Sequence, residues 1–331
     1  MSFSKRGTQY LRLLVRLLIS AALIIWLGFT IDWSQLGTVL KESSLLFIIL
    51  ALVAIQLTVL PSIWKWKLLV DASVVEQGSD SVSLGRLGRL YYIGLFFNNF
   101  LPSSVGGDVI RIIQLGRTIG MPTATASVGF ERFTSGLALV MILLGSVMIT
   151  ERARPFLGSI VLLCLVFVLI FFILWYLMIQ SKKNRGSVDL NRTFSNVFLK
   201  IMDKLKASLL KIGETTGQYS NKGSKWWLLV AVLSFAFQIG MVWINDLLFK
   251  SLHVEVPFLE LLVIITLISA LTMLPISING IGVREVSYIF FFQQLGIPNE
   301  IAVSVSLLFF LLVTISSLAG GVFWLYERDM R

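Results

Sequence analysis

Long apolar runs set the fold class of this 331-residue chain. A helix needs about 20 mostly apolar residues to cross a hydrocarbon core of about 30 Å. Because backbone groups in lipid must pair within their own segment, such runs predict helices rather than open strands. The runs that reach this length cover residues 13–31, 45–66, 123–149, 156–179, 226–250 and 300–325. We therefore predict an all-α polytopic membrane protein that forms one transmembrane domain over residues 1–331.

One motif occurs twice within this apolar sequence. Residues 101–111 read LPSSVGGDVIR and residues 274–284 read LPISINGIGVR, so that Leu, Pro, Ser, Gly and Arg recur at an offset of 173. Proline and glycine interrupt helices, and a pair of interruptions, one in each half, points to a binding site built from broken helices. The alternative is two simple kinks in ordinary spans. We predict two re-entrant hairpins that break at Pro102, Gly106, Gly107, Pro275, Gly280 and Gly282.

The basic residues predict the orientation. Residues 180–225 hold ten Lys and Arg against three acids, and only basic residues precede the first span. Cytoplasmic loops carry such an excess, so we place this connector, residues 67–89 and both termini in the cytoplasm. Residues 32–44 and 251–257 then lie outside. This placement accounts for the net charge of +10 without a nucleic-acid partner.

The same topology makes the repeat inverted. Residues of about 12–150 and 156–326 form the two halves, and the first starts inside while the second starts outside. Between them, residues 188–213 carry an amphipathic pattern. Such a helix lies on the inner leaflet, where its basic face contacts anionic headgroups, or packs on the cytoplasmic face of the protein itself.

Charged residues at membrane depth mark the candidate site, because each costs roughly 2.5–3.5 kcal/mol on insertion scales. Arg111 and Arg284 suit a phosphate clamp, since a guanidinium donates two parallel hydrogen bonds. Alternatively, these arginines pair with nearby carboxylates and hold the hairpins together. The serines of the motif line the cavity or cap freed backbone groups. The candidate substrate-binding residues are Asn98, Asn99, Ser104, Asp108, Arg111, Glu131, Arg132, Ser277, Asn279, Arg284 and Glu285.

Catalytic and metal signatures are absent from the sequence. It contains no P-loop, no GxSxG elbow and no Cys/His cluster, and His253, the only histidine, falls in a predicted outer connector. A membrane-embedded transferase using Asp108 or Glu131 would lack a nucleophile. We expect a protein that is not an enzyme and that has no cofactor and no metal.

The phrases FNNFLPSSVGGDVIR and LPISINGIGVRE resemble the lysylphosphatidylglycerol synthase transmembrane family, the flippase-like integral membrane proteins. The resemblance covers residues of about 10–326, and Asp108, Arg111, Arg284 and Glu285 occupy family motif positions. In two-part members a soluble aminoacyl-transferring domain follows the membrane part, and we expect no such domain in this protein. The resemblance therefore implies movement of lipid between leaflets rather than lipid aminoacylation.

These observations lead to one expected function and two alternatives. We expect flippase-like transport of a charged, phosphate-bearing lipid across the cytoplasmic membrane of a bacterium or archaeon, with membrane lipids as partners. The first alternative is a secondary transporter of a small amphipathic anion. The second is a non-transporting partner of proteins that synthesise cell-envelope lipids or glycans.

Overall fold

The computed structural model describes residues 18, 21–23, 25–74, 81–100, 106–149, 158, 219, 222–273, 277 and 279–329. Within these residues the regular structure is helical. A short 3₁₀ turn, Gln293–Leu295, follows the ninth helix. In chain order the helices are α1 (Ala21–Thr30), α2 (Trp33–Lys41), α3 (Leu45–Val74), α4 (Leu84–Phe100), α5 (Gly106–Ile119), α6 (Met121–Ile149), α7 (Ser224–Ser251), α8 (Phe258–Met273), α9 (Val283–Phe292) and α10 (Asn299–Asp329).

Four of these helices, α3, α6, α7 and α10, are long and apolar enough to cross a membrane. They correspond to four of the predicted spans. Much of their large apolar surface is exposed, including Leu46, Ile49, Val53 and Leu57 along one stretch of α3. A contiguous exposed surface of this kind suits lipid rather than water. The predicted span at 156–179 lies outside the described residues, apart from Gly158.

The helix boundaries correct the sequence prediction in two places. Helix α3 does not end at Trp66 but continues to Val74, so its last turns occupy the start of the predicted cytoplasmic stretch. The predicted outer connector at 32–44 contains helix α2, which bends by 85° from α1. Asp32 caps α2 by accepting hydrogen bonds from the backbone N–H groups of Ser34 and Gln35. Asp is a preferred N-cap residue, but the sequence prediction did not include a helix that starts after Asp32.

The first predicted hairpin corresponds to α4 and α5, and the second corresponds to α8 and α9. None of these four helices is among the four candidate spans. Pro102, Ser104 and Pro275 lie outside the described residues, so the breaks are seen only at their flanks. On those flanks, Gly280 and Gly282 have φ angles of +74° and +83°. Glycine adopts this left-handed region without a Cβ penalty, which accounts for both glycines.

The α4–α5 pair is held by two glycines. A Cβ added at Gly107 would lie 1.8 Å from the carbonyl oxygen of Gly94. A Cβ at Gly94 would lie 2.4 Å from Cδ of Arg111. The backbones of α4 and α5 therefore touch at Gly94 and Gly107, and the aliphatic part of the Arg111 side chain packs against Gly94.

This contact predicts a large effect of a single methyl group. Gly107→Ala should lower the free energy of unfolding by about 3 kcal/mol, the upper end for overpacking, because backbone rather than a side chain must move. Thermal unfolding of the detergent-solubilised protein, followed by tryptophan fluorescence, measures the loss. Gly85→Ala is the matched control, since a Cβ at Gly85 in α4 meets nothing within 4 Å. Equal melting temperatures for the two variants would contradict the close approach.

The described helices form two large apolar cores and two smaller apolar clusters. One core lies mainly among α3, α4, α5 and the start of α6, with Trp66 and Leu87 fully buried. The other lies mainly among α7, α8, α9 and α10, with Phe249 and Phe292 fully buried. Helix α3 packs along α7, and α4 packs along α10, so the two cores share long contacts.

Candidate functional site

A cavity of about 300 Å³ lies between the two cores. Helices from both sides line it, and so does the loop between α8 and α9. Its wall is mixed, with two arginines, one glutamate and several amides among apolar side chains. The lining residues are Tyr91, Asn98, Asn99, Glu131, Arg132, Ser135, Gly136, Leu139, Phe237, Gln238, Met241, Asn245, Ile265, Ile268, Ser269, Thr272, Met273, Asn279, Arg284, Tyr288 and Phe309.

Arg132, on α6, is the cation that lines the cavity on the side of the core formed by α3, α4, α5 and the start of α6. Its Nε lies 2.9 Å from Oδ2 of Asp108, and its Nη2 lies 2.9 Å from Oδ1 of the same carboxylate. This two-bond fork fixes the plane of the guanidinium. The Arg132 side chain is still 39% exposed, so one part pairs with Asp108 while another faces the cavity.

Arg284 is the cavity's cation from the second core. Its Nη2 and Nε lie 2.8 and 3.1 Å from Oε1 of Glu285. Its Nε also donates to Oγ of Ser306 on α10, at 3.1 Å, and the guanidinium lies 4.8 Å from the Phe310 ring centre. Glu285 in turn accepts from the backbone N–H of Gly282 at 2.7 Å. The carboxylate therefore ties the arginine to the start of α9.

Arg111 does not line the cavity. Its side chain is only 2% exposed, and its guanidinium lies 4.1 and 4.4 Å from the ring centres of Trp66 and Tyr91. Its Nη1 lies 3.3 Å from Oδ1 of Asp108 and 3.8 Å from Oε2 of Glu131. Arg111 therefore contacts the same carboxylate as Arg132 but does not face the cavity.

Lys65 belongs to the charged cluster that also contains Asp108, Arg111, Glu131 and Arg132. Lys65 was not among the candidate residues predicted from the sequence. Its Nζ is fully buried and lies 3.3 Å from Oε1 of Glu131. It also donates to Oγ of Ser135 at 2.5 Å and to Oγ of Ser234 on α7 at 3.3 Å. The sequence WKWK resembles an interfacial belt, but the apolar residues 68–70 that follow could have indicated that the span continues past it.

Backbone amides and asparagines join the broken helices. Oδ1 of Asn98 accepts from the N–H of Gly107 at 2.8 Å, which connects α4 to the start of α5. Nδ2 of Asn279 donates to the carbonyl oxygen of Asn99 at 2.8 Å, which connects the loop before α9 to the end of α4. Asn279 adopts a φ of +52°. The Asn99–Asn279 bond is a direct link between the two predicted hairpins.

The structure therefore groups most of the candidate residues. Asn98, Asn99, Glu131, Arg132, Asn279 and Arg284 line the cavity, and Asp108, Arg111 and Glu285 pair with charged side chains at its wall. Ser277 is buried and does not line the cavity, while Ser104 lies outside the described residues. In the part of the chain that the structure describes, His, Cys, Asp and Glu form no group of three that could hold a metal ion.

Among the residues that sequence reasoning missed, Gln238, Asn245 and Tyr288 add polar groups to the cavity. Gln238 donates to the carbonyl oxygen of Ser135 at 3.0 Å, and the hydroxyl of Tyr288 donates to Oδ1 of Asn245 at 2.5 Å. Gln238 and Asn245 lie on the long helix α7, away from the repeated motif, and Tyr288 lies on the short helix α9, four residues after the motif ends. No local spacing marked them as part of a site.

The fold and the cavity define a multi-pass α-helical membrane protein with a charged site between its two cores. The sequence profile of the lysylphosphatidylglycerol synthase TM region matches residues 13–321. The chain belongs to this family, as its repeated motif suggested.

Two relatives extend the comparison. The chain is 23% identical to a UPF0104 membrane protein of Pyrococcus horikoshii, over 97% of this chain and 98% of that protein. It is 24% identical to a UPF0104 membrane protein of Methanothermobacter thermautotrophicus, over 89% of this chain and 87% of that protein. No solved structure matches the chain. The comparisons thus agree on an integral membrane protein.

Proposed function

We propose that this protein moves a lipid with a phosphate-bearing headgroup between the leaflets of the cytoplasmic membrane. The observation that carries the proposal is the convergence of Arg132 and Arg284, one from each core, on a single cavity. Guanidinium groups bind phosphate with paired hydrogen bonds, and one such group from each core at a single cavity suits one headgroup. The transport is not enzymatic in this proposal.

The size of the cavity supports a headgroup rather than a whole lipid. A volume of about 300 Å³ lies at the lower end of the roughly 300–1,000 Å³ that small-molecule pockets occupy. Acyl chains would then remain in the bilayer, against the exposed apolar surface of the long helices. Only the charged part would need a polar path through the hydrocarbon region, where its desolvation is costly.

The helix contacts support two halves related by an inverted repeat. If α3, α4, α5 and α6 correspond to α7, α8, α9 and α10, each contact in one half has a counterpart in the other. The pairs α3–α4, α3–α6, α4–α5 and α5–α6 match α7–α8, α7–α10, α8–α9 and α9–α10. Between halves, α4–α10 matches α8–α6, and α6–α7 matches α10–α3. Rocking of one half against the other would expose such a shared site alternately to each side.

Contacts between distant loops support the proposed orientation. On the proposed outer side, the N–H of Ser44 donates to the carbonyl oxygen of Ser251 at 2.7 Å, so the start of α3 meets the end of α7. On the proposed cytoplasmic side, the hydroxyls of Ser73 and Tyr219 are 2.8 Å apart. Segments assigned to one side by their charge thus contact each other.

This orientation predicts a labelling pattern. Single cysteines at Gln35 and Glu255, both exposed, should react with an impermeant maleimide added to intact cells, in a Cys164→Ser background. Cysteines at Ser187 and Asn221 should react only after the cells are permeabilised, because both lie within the basic connector at 180–225. Labelling of Ser187→Cys in intact cells would reverse the proposed orientation.

Reconstitution tests the proposed function. Proteoliposomes containing an acyl-labelled fluorescent phosphatidylglycerol are treated with dithionite, which quenches only the outer leaflet. Translocation makes the inner-leaflet fluorescence accessible, whereas protein-free vesicles keep it protected. Persistent protection in vesicles that contain folded protein would contradict the proposal for this lipid. Competition by glycerophosphoglycerol, the headgroup without acyl chains, would instead favour a transporter of a small anion.

A further inference from the structure

The buried pair Lys65–Glu131 has no role in holding the headgroup in the proposal above, yet Glu131 reaches the cavity. Its carboxylate lines the wall beside Arg132, and Oε2 has no hydrogen-bond partner in the protein. Lys65, by contrast, is 0% exposed and donates to Glu131, Ser135 and Ser234. Both side chains of the pair are buried, and Glu131, at 2% exposure, lies at the cavity wall with one carboxylate oxygen that accepts no hydrogen bond.

We propose that Glu131 binds a proton together with the headgroup, so that translocation of the anionic lipid is coupled to movement of a proton in the same direction. This inference rests on the proposed function. Intramembrane ionisable residues that face a cavity are common elements of proton relays in transporters.

Charge provides the coupling. Three cations, Lys65, Arg111 and Arg132, surround two carboxylates, Asp108 and Glu131, so the cluster carries +3 − 2 = +1. Arg132 Nε lies 4.0 Å from Oε2 of Glu131, so a phosphate on Arg132 would lie close to this carboxylate. The two negative charges repel, and the phosphate also competes for the cation that stabilises Glu131. Binding of the phosphate therefore favours protonation of Glu131, and protonation of Glu131 favours binding of the phosphate.

The proton balance is simple. In the proposed cycle, a proton from water in the cavity binds a carboxylate oxygen of Glu131 and converts it to a neutral acid, and the phosphate on Arg132 offsets the positive charge that this adds to the cluster. When the headgroup leaves on the other side, Arg132 is free to stabilise the carboxylate again, and the proton returns to water. Each cycle moves one proton with one phosphodiester, so the pair crosses without net charge.

The other groups around Glu131 do not compete for this role. Helix α4 presents Tyr91, and α5 presents Asp108 and Arg111, whose charges are already paired. Helix α7 presents Ser234 and Gln238, which do not titrate near neutral pH. Helix α8 lines the same cavity only with uncharged residues, and its Glu260 is not part of the lining. Arg284 faces the cavity from α9 and keeps its charge.

Calorimetry of lipid binding tests the proposal. Dihexanoyl phosphatidylglycerol is titrated into the full-length protein in detergent, in two buffers of different protonation enthalpy. The difference between the two binding enthalpies gives the number of protons taken up, and we expect about one per lipid for the wild-type protein. The affinity should also weaken by about tenfold per unit of rising pH once Glu131 must be protonated by binding.

The informative variant is Lys65→Met/Glu131→Gln. It removes one positive and one negative charge, so the cluster stays at +1 and its attraction for phosphate remains. We expect it to bind the same lipid without proton uptake, because neither methionine nor glutamine binds a proton in this pH range. Glu327→Gln, which neutralises a carboxylate paired with Arg89 at 3.6 Å outside the cavity, should leave the proton uptake unchanged.

The outcomes are distinct. Wild-type binding without proton uptake, or equal uptake by the double variant, overturns the coupling and leaves the proposed function intact. A folded wild-type protein that binds no phosphatidylglycerol overturns both. Proton uptake with glycerophosphoglycerol in place of the lipid supports the coupling and assigns it to a water-soluble phosphodiester.

Discussion

Arg132→Ala and Arg284→Ala should each slow translocation of phosphatidylglycerol by at least about tenfold, because each removes a charge-assisted contact worth roughly 1.5–3 kcal/mol. The two residues face one cavity from opposite cores, so neither should compensate for the other. The dithionite assay in proteoliposomes measures the rate. Lysine at either position should restore part of it, because lysine keeps the charge but loses the planar fork.

Controls separate the loss of a clamp from the loss of the fold. Arg117→Ala is the matched control, since Arg117 is exposed in the last turn of α5 and does not line the cavity. Size-exclusion profiles and thermal unfolding should show that both cavity variants are folded. If well-folded Arg132→Ala and Arg284→Ala proteins translocate lipid at the wild-type rate, the arginine clamp is wrong.

The sequence did not predict which of the arginines would face the cavity. The repeated motif singled out Arg111 and Arg284, which share the offset of 173. The structure places Arg284 at the cavity but buries Arg111 between Trp66, Tyr91 and two carboxylates. A motif gives chain position, and the direction of a side chain depends on the helices that pack around it. Arg132 was in the candidate set only because charge at membrane depth is costly.

The long helices were predictable for a physical reason. Apolar length alone selects segments that can cross a bilayer, and α3, α6, α7 and α10 each overlap a predicted span. Their ends were less predictable, since Lys65 and Lys67 made the sequence beyond Trp66 look like a cytoplasmic loop. Burial of Lys65 depends on Glu131, which is 66 residues away in sequence. Such a long-range pair leaves no local signal.

Glu131→Gln should destabilise the protein more than Lys65→Met, although each removes one half of the same ion pair. Breaking a buried pair costs about 3–5 kcal/mol when a buried charge is left without compensation. Lys65→Met changes the cluster from +1 to 0, and Glu131 keeps Arg111 and Arg132 at 3.8 and 4.0 Å. Glu131→Gln raises the net charge of the cluster to +2, so that Asp108 is the only carboxylate left beside Lys65, Arg111 and Arg132.

The double variant completes this prediction. Lys65→Met/Glu131→Gln returns the cluster to +1, and replacing a buried pair by neutral groups of similar size is often neutral or stabilising. Its stability should therefore exceed that of Glu131→Gln by about 3 kcal/mol, and the two single effects should not add. Chemical or thermal unfolding of all four proteins in the same detergent gives the coupling energy. If the losses of unfolding free energy in the two single variants add up in the double variant, Lys65 and Glu131 contribute independently. If the two single variants lose the same unfolding free energy, net charge does not control the stability of the cluster.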